Sequence, residues 1–316
     1  MPEGGGGASR ALTAGSENPV DVSICFVNWR TADDLIGCVR SIEAHPPACS
    51  YDVWIVDNDS GDGSVERLRA ELPGARLIAN SANVGFGRAA NQAIASSTGR
   101  YVLLLNPDMV VDPGAVDTLV AFMDSEAHAG AIGGAMRAPD GRRHHSCRRF
   151  PVPWAALVRG TFLETLLPRD RRVREYLMED WDHSSVREVD WLSGACLMLR
   201  REALDQVGVF DARYFMYLED TDLCLRMHRS GWGVYYVPSA GFVHTIGRSS
   251  DQAQPRMILA HHRSMCQYYC KHMARGLGLL LVPLALAAIG ARCLLVLAKN
   301  RMLWWRTTRI AGTNKT

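Results

Sequence analysis

Between residues 20 and 125 short apolar runs alternate with segments of helical period, and that alternation restricts the chain to few folds. The runs read VDVSICFV, YDVWIVD, ARLIAN and YVLLLN, and helical patterns fall at 32–44, 63–72, 87–97 and 113–125. A helix after each strand carries the chain back to the starting edge of the sheet, so parallel pairing is the natural outcome. The expected class is α/β: a Rossmann-like, mostly parallel sheet flanked by helices. With 316 residues, 47% of them apolar, the chain can bury one large core or two small ones.

Residues 1–19, with a glycine run at 4–7, carry no apolar period and are expected to form a flexible tail outside the fold. A formal charge of +2 is too small to suggest nucleic acid as a partner, so any cationic surface must be local. Nine cysteines without paired spacing, behind no apolar leader, suggest thiols kept reduced in a cytoplasm. Cys266 and Cys270 lie near His261, His262 and His272 but match no common zinc spacing, and a helix that buries its cysteines accounts for them.

In a sheet of this type ligands bind beyond the carboxyl ends of the strands. The residues there are polar: Asn28-Trp29-Arg30, Asp57-Asn58-Asp59-Ser60, Asn83-Val84-Gly85-Phe86-Gly87 and Asn106-Pro107-Asp108. Any one alone reads as a turn or a helix cap. Four along one edge read as a binding site. From about 131 to 250 the alternation breaks into a basic run (Arg142, Arg143, His144, His145, Arg148, Arg149), a charged helical segment to about Glu188, and a strand WGVYYVP ending near Pro238, with His244 beyond it.

Two acidic positions carry chemistry. Asp108 follows the run at 101–105, where a hard cation can share its carboxylate with substrate phosphates and water. Glu219-Asp220-Thr221-Asp222 starts a helix behind the aromatic and apolar residues 214–218, a dry wall beside which a carboxylate can act as a general base. The acids also suit the helix dipole at that end.

The order of motifs resembles the inverting, GT-A-fold glycosyltransferases of family 2 over residues 20–250, and within them the bacterial rhamnosyltransferases that act on polyprenyl-diphosphate-linked acceptors. VNW (27–29), VDNDSGDGS (56–64), NVGFGRAAN (83–91), LNPDM (105–109), WLSGACLMLRREAL (191–204), FDARYFMYLEDTDLCLR (210–226) and HTIGRSS (244–250) carry the resemblance. It implies a nucleotide-sugar donor held by Trp29 against the base, Asn58 on the base edge, Asp57 behind that loop, and Asn83, Gly85, Arg88 and Asn91 along the pocket. Asp220 corresponds to the catalytic base of the family's acidic motif, Asp108 to the last acid of its metal triplet and His244 to a late metal or diphosphate ligand. Mg2+ or Mn2+ is the implied cofactor, although the triplet here reads Asn-Pro-Asp and keeps one carboxylate. Glu219, Trp191 and Arg148 fall on the acceptor side. The implied reaction moves a sugar, rhamnose from dTDP-rhamnose or another nucleotide-linked sugar, to a hydroxyl of a lipid-linked glycan in cell-wall or surface polysaccharide assembly.

Residues 276–298 are almost wholly apolar and long enough to cross a bilayer. Arg292 and Pro283 interrupt them, and Lys299, Arg301, Arg306, Arg309 and Lys315 follow on the side that a cytoplasmic catalytic domain would have to export. An in-plane or re-entrant helix anchored by Trp304 and Trp305, at the cytoplasmic face of the plasma membrane, reconciles these signs. The expected division is a GT-A domain at 20–270, with a nucleotide-sugar half at 20–130 and an acceptor half at 131–270, and a membrane-associated tail at 271–316. A non-catalytic nucleotide-sugar-binding relative would be expected to lack the acids at 219–222. A dinucleotide oxidoreductase would carry a glycine fingerprint where this chain has Asn28-Trp29-Arg30.

Overall fold

The computed structural model describes residues 20–313 except 160, 162 and 246–253, with side chains through residue 302. The tail expected at 1–19, the last five residues of HTIGRSS and the side chains of Trp304 and Trp305 lie outside what is described.

The run VSICFVN forms β1 (Val22–Asn28), buried along almost its whole length, and such a strand needs neighbours on both edges and a layer on each face. β2 (Tyr51–Asp57) and β4 (Tyr101–Leu105) flank it in parallel, and β3 (Arg76–Ala79) pairs in parallel with β2. The crossovers are α1 (Ala32–Ala44), α2 (Ser64–Glu71) and α3 (Phe86–Ser96). Leu35, Ile36, Val39 and Ile42 recur on α1 at helical spacing and are buried, which fixes its inner face.

The chain continues through β5 (Met109–Val111), α4 (Ala115–Ser125), β6 (Ala129–Arg137) and β7 (Cys147–Arg148). After the short helices α5 (Pro153–Val158), α6 (Leu163–Leu166) and α7 (Arg171–Tyr176) come β8 (Arg187–Glu188), β9 (Trp191–Leu192), β10 (Cys196–Arg200), α8 (Arg201–Val207), α9 (Glu219–Arg229) and β11 (Gly233–His244). The main sheet runs β3-β2-β1-β4-β10-β6-β11-β5, with β8 beside β11; β7 and β9 form a separate pair. Six strands (β1, β2, β3, β4, β6, β11) run one way and three (β5, β8, β10) the other. Alternate side chains along each strand feed two cores. Ile24, Phe26 and Leu103 pack with α1 and α4, while Cys25, Val56 and Leu104 pack with α3, α8 and α9.

Two local expectations change. The helical, charged segment expected to run to about Glu188 is three short helices that end at Tyr176; Pro153 opens α5 and Pro168 lies between α6 and α7. The strand expected to end near Pro238 continues to His244. Its register against β6 shifts between Val237 and Gly241, so residues 238–240 bulge out and the proline breaks no ladder hydrogen bond.

α10 (Gln254–His272) runs through residue 270, where the sequence divides domain from tail, and it is tied to α9. His272 Nε2 and Lys271 Nζ each lie 2.6 Å from Asp222 Oδ1, and Arg226 Nε donates to Asp222 Oδ2 at 2.9 Å. A 3-10 turn (Gly276–Leu281) leads to α11 (Val282–Thr313). Residues 278–302 are long and apolar enough to cross a membrane by length and composition, and only 11% of the most apolar stretch there is buried.

Burial pushes the Asp222 carboxyl up, but hydrogen bonds from His272 and Lys271 and the charge of Arg226 outweigh it and hold its pKa below the ordinary value. Its stabilisation is therefore complete above the ordinary aspartate range and fades as pH falls through the lowered value. Asp222→Asn should cost about 3 kcal/mol, since it removes the fully buried carboxylate that Arg226 and Lys271 share, leaving Arg226 without it and Lys271 with Asp211 alone. Urea unfolding at neutral pH reads this directly, and an unchanged midpoint would remove Asp222 from that structural role.

Candidate active site

At the end of β1, Asn28 Nδ2 donates to Asp57 Oδ2 (2.7 Å), and Asp57 also accepts from Ser60 N (3.0 Å) and Ser60 Oγ (2.6 Å). Asp57 thus holds the 57–60 loop from the strand end. Asn58 accepts from Val84 N (3.0 Å) and Asn80 Nδ2 (3.2 Å), and donates to Asn83 Oδ1 (3.0 Å) and the Gly85 carbonyl (3.4 Å). Its amide is used up inside the protein, so Asn58 shapes the pocket wall and has no free group for a base edge. Trp29 is half-buried beside this loop, with the Arg30 guanidinium 5.3 Å from its ring centroid.

Three residues expected along the donor pocket also hold the backbone of a neighbouring segment. Asn91 clamps the backbone of Phe210 through Nδ2 to the carbonyl (2.8 Å) and Oδ1 to the amide (3.0 Å), and Arg88 Nε donates to the Ala212 carbonyl (2.7 Å). Gly85 has φ +87°, and a Cβ there would overlap the Phe215 carbonyl oxygen, which accepts from Phe86 N at 2.8 Å. Together they dock the 210–218 segment onto the start of α3. That segment ends in Tyr217 and Leu218, both left-handed (φ +69° and +66°), a conformation costing a residue with a side chain about 1–2 kcal/mol.

The docked segment delivers α9. Asp220 Oδ2 accepts from Gly194 N at 3.0 Å, and Oδ1 from Thr221 N at 2.7 Å. The neighbouring Ala195 carbonyl accepts from Asn106 N at 2.9 Å, where β4 and β10 part. One short peptide therefore connects the acid on α9 to the Asn106-Pro107-Asp108 turn. There the longer β11 brings in His244, whose Nε2 lies 3.1 Å from Asp108 Oδ1 and 3.4 Å from Asn106 Nδ2. Asp108 and His244, 136 residues apart, meet as their motifs imply.

Burial pushes Asp220 above the ordinary aspartate range, against the hydrogen bonds from Gly194 and Thr221 and the charge of Arg148, which pull it down. Glu219 is raised further, by burial and by the charges of Asp220 and Asp222, and its buried Oε2 has no hydrogen-bond partner. Nearby, β7 and β9 set Arg148 opposite Trp191, with the guanidinium 5.0 Å from the indole centroid. Glu219, Trp191 and Arg148 thus gather around Asp220, while Trp29, Asp57, Asn58 and Asn83 form a second group at the β1–β2 edge. The amide of Gly194 escapes a reading by side chains, although SGAC lies inside a motif that carries the resemblance.

Asp108 and His244 suit a hard divalent cation: one carboxylate and one imidazole leave most of a six-coordinate shell for phosphate oxygens and water. Among the described residues no three His, Cys, Asp or Glu side chains surround a common point, so a bound substrate would have to complete it.

Residues 21–208 match the family model of glycosyl transferase family 2. The chain belongs to this family. As a family 2 glycosyltransferase it is 38% identical over 226 residues to the N-acetylglucosaminyl-diphospho-decaprenol L-rhamnosyltransferase of Mycobacterium tuberculosis, covering 67% of this chain and 72% of the relative. It is 27% identical over 199 residues to rhamnosyltransferase WbbL of Escherichia coli, covering 59% and 70%. In fold it resembles the mannosyltransferase PcManGT from Pyrobaculum calidifontis, solved with GDP-Man and Mn2+ (TM-score 0.56, 16% identity, 91% of this chain and 81% of that one). It also resembles Staphylococcus aureus TarS with UDP (TM-score 0.50, 15% identity, 79% and 65%). The GT-A class expected from the motifs is the class observed.

Docking of the 210–218 segment is the step on which this glycosyltransferase's acid depends. Gly85→Ala should undock it, because the new methyl meets a backbone oxygen that cannot give way. Limited proteolysis should then cut within 210–218 much faster than in the wild type, and turnover should fall about tenfold or more. Unchanged cleavage would show that the segment is held by other contacts.

Proposed function

We propose that this glycosyltransferase moves rhamnose from dTDP-rhamnose to a hydroxyl of a polyprenyl-diphosphate-linked glycan, with inversion, at the cytoplasmic face of the plasma membrane. The observation that carries the reading is the pairing of two centres through residues 194–196 and 106–108. One is a raised-pKa carboxylate anchored on a backbone amide, and the other an acid and an imidazole in contact. The mycobacterial relative, named for decaprenol-linked acceptor and rhamnose, supports the choice of sugar and lipid. α11, apolar and mostly exposed, supports a membrane site, and its buried Arg292 favours an in-plane helix over a simple span.

In the reaction the acceptor oxygen bonds to the anomeric carbon as the bond from that carbon to the donor diphosphate breaks. Asp220 takes the hydroxyl proton, and its remaining lone pairs stay oriented because Gly194 and Thr221 occupy the others. Burial and the neighbouring acids favour the neutral form of Glu219, which limits negative charge beside the base. Trp191 and Arg148 position the acceptor, and Trp29 lies against the donor base. A divalent cation held by Asp108 and His244 would neutralise charge on the departing diphosphate.

The base works only when ionised, so the acid limb of kcat should lie above the ordinary aspartate range, activity rising as pH climbs through the raised value of Asp220. Asp220→Asn should keep donor affinity by calorimetry and lose about a hundredfold or more in kcat. Normal turnover, or loss of donor binding, would take the base role away from Asp220. Products identified by mass after a screen of nucleotide sugars against a short prenyl-diphosphate-linked acceptor decide the sugar, and transfer only from a donor other than dTDP-rhamnose would refute that choice. Chelation should stop transfer and added Mn2+ or Mg2+ restore it, with Asp108→Asn demanding more cation for the same rate; full activity after exhaustive chelation would contradict a metal role.

A further inference from the structure

Arg292 stands within the apolar stretch of α11 and yet is 7% exposed. Its Nη1 is 2.6 Å from His262 Nε2, its Nη2 donates to the Arg159 carbonyl at 2.6 Å, and its buried Nε has no hydrogen-bond partner. It borders a cavity of about 400 Å³ beside α5, α10 and α11, which Arg148, Arg159 and His261 also line. The buried Nε of Arg148 is likewise without a hydrogen-bond partner. Burial and then the charge of Arg148 push Arg159 below its ordinary value. His261 is pushed down to about 3, by burial and then by Arg292 and its other cationic neighbours. Among the described residues Glu164 offers an opposing charge to Arg159 and Arg292, and Asp220 one to Arg148, but the lining of the cavity itself carries three guanidiniums and no carboxylate. That surplus matches a diphosphate, and guanidinium is the side chain that binds phosphate oxygens two at a time.

A second, apolar chamber of about 130 Å³ adjoins it, with Leu157, Met273, Ala288 and Ile289 in its walls. Leu218, Met265 and Arg292 border both spaces. Leu218 lies two residues before Asp220, and the charge of Arg148 reaches that acid, so the cationic cavity opens beside the base. On α11 Leu284 and Leu294 are about 70% exposed, which gives a lipid chain a route along an apolar helix.

We propose that the two chambers are one binding site for a prenyl diphosphate, with Arg148, Arg159 and Arg292 holding the phosphates and the apolar chamber holding the first isoprenoid units. The assignment rests on the lipid-linked acceptor proposed above and adds where its diphosphate and chain sit. An anionic phospholipid headgroup or free phosphate shares part of the chemistry, so the test separates them.

The full-length protein in detergent is titrated, without donor, with farnesyl diphosphate and with inorganic pyrophosphate. Farnesyl diphosphate should bind about tenfold or more tighter than pyrophosphate, because only it fills the apolar chamber. Arg159→Gln and Arg292→Gln should each weaken it about tenfold or more. Ala288→Trp, which fills the chamber, should weaken farnesyl diphosphate and leave pyrophosphate unchanged. Nucleoside diphosphate affinity should stay the same in all three, and thermal unfolding reports whether each is folded; if Arg292→Gln is not, the other two carry the test. Equal affinity for the two probes, or indifference to the folded arginine variants, overturns the proposal. Phosphatidylglycerol vesicles that displace farnesyl diphosphate as well as unlabelled prenyl diphosphate does would overturn it in favour of a phospholipid headgroup site. If rhamnose is transferred but the acceptor KM of Arg159→Gln is unchanged, this site assignment fails while the rhamnosyltransferase reading stands. Tight, arginine-dependent farnesyl diphosphate binding in a protein that transfers no rhamnose means the reverse.

Discussion

The fully buried carboxylate of Asp222 is the contact on which the packing of α8, α9 and α10 depends. It lies two residues from Asp220 on α9, and residues two apart project from a helix in widely different directions. One helical turn therefore carries the acid that meets Gly194 and, on another side, the anchor that meets Lys271 and His272 of α10. The network extends through Arg226, which also donates to the carbonyls of Val207, Gly208 and Val209, and so closes the end of α8 onto the same helix. Burying an ion group of this size is stabilising only because each charge meets a partner at hydrogen-bond distance.

The other side of the acid is set by docking instead of charge. The 210–218 segment is held at its backbone by Asn91, Arg88 and the amide of Phe86, and it fits because Gly85 has no side chain. These contacts join the start of α3 to the segment that leads into α9, so Asp220 is positioned relative to the β1–β2 edge by residues 85–91. Strain at Tyr217 and Leu218 is sustained between two fixed ends, α3 before it and the Asp222 anchor after it.

The first half of the fold was readable because each strand there is a nearly unbroken apolar run and each crossover has a clear helical period. Helix 32–44 and strands 51–57 and 101–105 start and stop where periodicity says. Pro238 misled because a proline ends a strand by local rules, whereas the bulge that absorbs it is formed with β6 far away in sequence. Asp108 and His244 were placed together by motif order, and they touch. Arg88, Asn91 and Asn58 had the right neighbourhood but other partners, since a polar side chain near a pocket can bind ligand or backbone and the letter does not distinguish them. Gly194 contributes through its amide, a group every non-proline residue has, and Arg159 and Arg292 gain meaning only when α5 and α11 are set side by side.

Leu218 occupies a position where local stability and shape have opposite requirements. A glycine there would relieve about 1 kcal/mol of left-handed backbone strain while giving up the packing of a half-buried leucine. It would also delete one of the side chains that border both the cationic and the apolar chamber, and with it part of the wall that would sort head from tail in the amphiphile proposed above. Backbone relief and cavity shape therefore pull on position 218 in opposite directions, and the leucine records which of the two this fold keeps.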